Sequence, residues 1–128
     1  MTIMVEIAPG ELIDKITILE IKLGNIHDEG KLANIRVEYE SLIGVLQREV
    51  AQTDALSRLT AALKEVNAEL WRIEDEIRAQ ERAGTFGAEF VALARAVYRT
   101  NDRRAALKRE INDLLKSAII EEKSYAAY

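Results

Sequence analysis

Residues 99–109 read Arg-Thr-Asn-Asp-Arg-Arg-Ala-Ala-Leu-Lys-Arg, five cations against one carboxylate. Thr100, Arg104 and Lys108 recur every four residues, so on a helix all three share one face. A guanidinium grips a carboxylate or phosphate through two parallel hydrogen bonds and an ammonium adds a point charge, so this face could hold an anion. The same side chains could instead pair with carboxylates on a neighbouring helix and hold no ligand.

The surrounding pattern gives these residues an address. Phe90, Leu93, Val97, Leu107, Ile111 and Leu114 keep a core spacing of three and four, and Thr100 and Arg104 fall on the positions where that spacing breaks. A guanidinium at a core position must find a partner or leave the core. The preceding helical stretch has an unbroken seam of Leu56, Leu59, Leu63, Val66, Leu70, Ile73 and Ile77. Placed antiparallel, the two seams pair Ile77 with Leu93, Ile73 with Val97, Leu63 with Leu107, Leu59 with Ile111 and Leu56 with Leu114. Every pair is then centred on residue 85, in a turn that Gly84 and Gly87 bracket. This hairpin sets Arg104 opposite Val66 and Thr100 opposite Leu70, with Glu65 and Glu69 as the nearest carboxylates.

The N-terminal half supplies two more helices. Pro9 opens the first, which should run to about Ile26, with Glu11 and Asp14 favouring the positive end of the helix dipole. Its apolar residues cover most of its circumference, as in a helix buried on several sides. Among them stand Lys15, Glu20 and Lys22. If this helix lies antiparallel beside the last, Glu20 and Lys22 reach the level of Arg104 to Lys108 and join Thr100 in a polar layer. Asn25, Asp28, Glu29 and Gly30 mark a turn, and a second helix follows from Leu32 to near Ala51. Thr53 or Asp54 can cap the third. Ile3, Val5 and Ile7 alternate with Met4 and Glu6 in the period of a strand. That strand could pair with the tail around residues 119–125, giving an all-α, antiparallel four-helix bundle over residues 1–128 with a short terminal two-stranded β pair.

Composition narrows the function. At 48% hydrophobic and 31% charged residues, with one proline, the chain suits a single helical domain rather than a disordered one. The absence of cysteine removes disulfides, thiolate metal sites and a cysteine nucleophile, and is compatible with the cytoplasm. No apolar run approaches the ~18 residues of a membrane span. A net charge of −4 argues against nucleic acid as a partner, despite Arg99, Arg103 and Arg109. His27, the one histidine, lies in a turn beside Asp28 and Glu29 and reads as a surface residue. Carboxylates three apart occur only as the Glu-x-x-Asp halves Glu11/Asp14 and Glu110/Asp113, not as the paired motifs of a helical magnesium pyrophosphohydrolase. No metal, cofactor or catalytic set is implied.

The head Pro9-Gly10-Glu11-Leu12-Ile13-Asp14-Lys15-Ile16-Thr17-Ile18-Leu19-Glu20-Ile21-Lys22 resembles the opening of a small bacterial family of helical proteins of unknown function. The segments Leu70 to Ile77, Tyr98 to Lys108 and Glu121-Glu122-Lys123-Ser124-Tyr125 extend that resemblance over nearly the whole chain. It implies no activity. In architecture alone the chain is also similar to the helical chorismate mutases, dimeric bundles that hold a dicarboxylate with Arg and Lys. Two readings follow: an assembly or regulatory module, expected to form a homodimer and able to bind a protein partner, or a small-anion site formed by Arg104, Lys108, Thr100, Glu20, Lys22 and Glu69, which could act as a chorismate-mutase-like electrostatic isomerase.

Overall fold

A computed structural model describes residues 1–128 as four helices: α1 (Pro9–Asn25), α2 (Glu29–Glu49), α3 (Asp54–Ala83) and α4 (Ala88–Leu114). Several of the boundaries have a local cause. Pro9 occupies the first turn of α1, where a missing N–H costs nothing. The Asp28 carboxylate accepts from the Lys31 N–H at the start of α2, and the Thr53 hydroxyl accepts from the Leu56 N–H at the start of α3. Gly84 ends α3 in the left-handed region at φ 69°. Lys116 takes the same conformation, φ 53°, after α4. There the Ser117 N–H donates to the Asn112 carbonyl at 2.8 Å, closing the turn that redirects the tail.

Helix α1 is the hub, packing against α2, α3 and α4, while α2 approaches only α1 and α3 packs chiefly on α4. Gly10, Leu12, Ile13, Asp14, Ile16, Thr17, Leu19 and Ile21 of α1 are all buried, which explains why its apolar residues are not confined to one stripe. The core joins Leu12, Ile13 and Ile16 to Leu46, Leu56, Leu63 and Ile111. Beyond Ile73 and Thr100 the α3–α4 hairpin projects as an arm with no buried residue, its seam of Ile77, Phe90, Leu93 and Val97 half-covered. Phe86 and Phe90 stack edge to face near its tip. None of the helices is long and apolar enough to cross a membrane.

The terminal β pair does not form. The chain contains no strand, and no backbone hydrogen bond joins residues 1–7 to the tail. The tail is engaged elsewhere: Glu121 reaches Lys108, Glu122 reaches Arg109, and the Tyr128 ring lies against Tyr98. These contacts carry it back along α4 and leave the N-terminal segment without a neighbouring strand.

Candidate functional site

The polar layer is built around α1. Asp14, 1% exposed, stands where apolar residues pack on either side, and a carboxylate so placed needs strong partners. Arg104 of α4 supplies two, donating from Nε to Oδ1 at 2.9 Å and from its terminal nitrogen to Oδ2. The Asn67 amide of α3 donates to Asp14 Oδ1 at 2.9 Å and to the Thr17 hydroxyl at 3.0 Å. One carboxylate therefore ties three helices together. Thr17 in turn donates to the Asp14 carbonyl at 2.8 Å.

One turn along α4, Lys108 is nearly buried between two carboxylates, donating to Glu11 at 2.7 Å and to Glu121 of the tail at 3.1 Å. At the next turn the Asn112 side-chain oxygen accepts from the Gly10 N–H at 2.7 Å, taking up one of the free N–H groups at the start of α1. The approach there is very close. A Cβ on Gly10 would lie 2.6 Å from the Lys108 carbonyl oxygen and 2.7 Å from Asn112 Oδ1. The sequence Gly10–Asn112, Glu11–Lys108, Asp14–Arg104 shows α1 descending α4 in the antiparallel sense.

Electrostatics follow from this geometry. Burial pushes the Asp14 carboxyl up, but the hydrogen bonds from Arg104 and Asn67 and the charges of Arg104 and Lys108 outweigh it, so its pKa falls below the ordinary value. The bond to Asp14 raises Arg104 against the opposing effect of burial. Burial pushes Lys108 down, and Glu11 and Glu121 more than reverse it. For Asp14 the folded pKa lies below the unfolded one, so its contribution to stability is complete above the unfolded value of ~3.9 and fades as pH falls through the folded value. For Lys108 the contribution is complete below its unfolded value of ~10.4 and is lost as pH rises through the folded value. The polar layer's contribution should therefore stay level between these limits. Chemical denaturation from pH 8 to pH 3 should show Asp14→Asn losing less stability on acidification than the wild type; equal losses would contradict the assignment.

Of the six residues singled out in the sequence, Arg104 and Lys108 belong to this layer, and Thr100 is buried on α4 one turn before Arg104 without a hydrogen bond to it. Arg104 does not pair with Glu65 or Glu69, because α1 lies closer and offers a buried carboxylate; Glu69 instead accepts from Arg103 at 3.0 Å on the exposed side of the hairpin. Glu20 and Lys22 are not drawn in either. Glu20 meets Lys64 at 3.5 Å and the Tyr39 hydroxyl at 3.3 Å, and Lys22, in the last turn of α1, forms no ion pair. The α1 carboxylates level with Lys108 and Arg104 are Glu11 and Asp14, about two to three helical turns nearer the N-terminus than Glu20 and Lys22. Asp14, Thr17, Asn67 and Asn112 escaped the sequence reading. The available signal was spacing: Gly10, Asp14, Thr17 and Ile21 form one face of α1, and Asn67 lies four residues after Leu63.

No buried side-chain nitrogen or oxygen lacks a partner. The cavity beside Lys108, Asn112 and Glu121 measures about 20 Å³, room for about one water molecule. The larger groove, about 380 Å³, lies between Ala62, Val66, Ala106 and Leu107 and is rimmed by Glu65, Arg103 and Glu110; none of the layer's residues lines it. No group of three carboxylate or histidine side chains is gathered to hold a metal ion.

No curated protein and no solved structure matches the chain. The model of a family of unknown function, DUF6165, matches residues 3–128. A match of that extent, over all four helices, the buried polar layer and the tail that closes on it, places the chain in the DUF6165 family.

Proposed function

We propose that this chain is an assembly module acting through its surface, and that its buried polar layer is an internal lock rather than a ligand site. The observation that carries this reading is the saturation of the layer: Arg104 is committed to Asp14, and Lys108 to Glu11 and Glu121. An incoming phosphate or dicarboxylate would have to displace those carboxylates and enter a space of about 20 Å³. Buried ionic groups of this kind fix one packing among several that apolar residues alone would allow. Here they fix how α1 sits on the α3–α4 hairpin, which leaves the termini and the hairpin arm as surfaces for contact. Assembly as a homodimer is part of this proposal.

Thermal-shift measurements with inorganic phosphate, pyrophosphate, succinate and citrate should find no stabiliser that depends on the layer. A shift of several degrees in the wild type that Lys108→Gln abolishes would favour the anion-site reading instead. If Lys108→Gln unfolds, Glu121→Gln serves the same purpose, since loss of the tail carboxylate should then enhance anion binding. No enhancement is expected under the lock reading.

A further inference from the structure

Residues 1–7 carry a concentration of apolar surface that the folded chain leaves open. Ile3 is 74% exposed, Met4 92% and Val5 71%, and no residue in the segment makes a hydrogen bond. Ala8 is buried at the start of α1, so the segment leaves the body from a fixed point. A run of apolar residues with free N–H and C=O groups is a template for pairing with another strand. The tail of the same chain is not that strand, since Glu121, Glu122 and Tyr128 hold it against α4.

We infer that the N-terminal segments of two copies of this chain pair antiparallel, centred on Val5, to form the interface of a homodimer. The inference rests on the assembly reading above and specifies its surface. Two features select a second copy as the occupant. Ile3-Met4-Val5-Glu6-Ile7 is nearly symmetric about Val5, so a two-fold axis there sets Ile3 of one copy opposite Ile7 of the other and the two Val5 residues opposite each other. Every pair on that face is β-branched, the favoured cross-strand combination. Charge argues against the register centred on Glu6, which would oppose two carboxylates and draw Pro9 into the ladder, whereas about Val5 the Glu6 side chain faces Met4. A register shifted by one residue would mix the two faces of the strand.

A two-stranded ribbon is marginal alone. The bond between Gly10 and Asn112 brings the start of α1 to the end of α4, where Leu114, Ile119 and Ile120 are also exposed. Both copies therefore offer apolar surface beside the ribbon.

The cysteine-free chain allows a direct test. Directly opposed residues in an antiparallel pair have Cα atoms ~4.5–5.5 Å apart, within disulfide range, while positions offset by two residues lie ~7–8 Å apart and outside it. Under mild oxidation Val5→Cys should form a covalent dimer at least ten times faster than Met4→Cys. Val5→Asp should raise the dimer dissociation constant at least tenfold by light scattering, with an unchanged monomer fold by circular dichroism. A wild-type dimer in which Val5→Cys couples no faster than Met4→Cys would overturn this interface and leave the assembly reading standing. A wild type that stays monomeric at all concentrations would overturn both.

Discussion

Arg104→Leu is expected to destabilise the fold by about 3–5 kcal/mol, because removing one member of a buried ion pair leaves the other as an uncompensated charge. The partial exposure of the guanidinium, 29% of its side chain, points to the lower end of that range. A domain of this size loses roughly 3–5 °C of melting temperature per kcal/mol, so the fall should reach about 10 °C or more. An arginine that merely interrupted an apolar seam could be replaced by leucine without loss. Asp14 reverses that expectation, since at 1% exposure it would keep only the Asn67 amide. Asp14 would then be expected to take up a proton more readily, and the loss should shrink towards acidic pH. Thermal unfolding of the variant at pH 7 and pH 4 checks both the size and the trend.

Gly10→Ala carries the second large effect, with the sign opposite to helix propensity. In an open helix alanine would be favoured over glycine by about 1 kcal/mol. Here its Cβ would meet the Lys108 carbonyl oxygen at 2.6 Å and the Asn112 side-chain oxygen at 2.7 Å. The first of these is backbone and cannot rotate away, so α1 and α4 must separate. That separation stretches the Gly10–Asn112 bond and the Lys108–Glu11 pair beside it. Forcing extra volume into a packed contact typically costs about 1–3 kcal/mol. Urea denaturation should place Gly10→Ala well below the wild type, whereas Gly24→Ala, which meets nothing within 4 Å, should be neutral or stabilising. Equal behaviour of the two would show that the α1–α4 contact is looser than described.

The hairpin was legible in the sequence because its rule is local and repetitive. A seam spaced by three and four on both helices, with Gly84 and Gly87 between them, admits few alternatives, and Thr53 announces α3 by a cap that needs only its own neighbours. The break at Thr100 and Arg104 was legible for the same reason. Arg104's partner was not. Asp14 lies 90 residues away, on a helix whose position depends on how all four pack, and an acidic residue near a helix start has a sufficient local explanation in the helix dipole. Glu65 and Glu69 stood out as partners because the hairpin alone set the distances, before the covering helix could compete for the guanidinium. Asn67 and Asn112 were hidden differently: an asparagine beside a core position reads as surface until something lies against it. The N-terminal alternation marked a strand that does not form, because a strand also needs a neighbour and the tail is drawn off by Lys108 and Arg109.

The central claim, that Asp14 and Arg104 form a closed lock within the chain, is tested most directly by a double-mutant cycle. The free energy of unfolding is measured by urea denaturation for the wild type, Asp14→Leu, Arg104→Met and the double variant. Replacing both partners of a buried pair with apolar residues is often neutral or stabilising, whereas removing one is costly. The lock predicts two strongly destabilised single variants, a double variant more stable than either, and a coupling energy that exceeds the usual range of about 0.5–3 kcal/mol. Additive losses, with the double variant the least stable of the four, would contradict it.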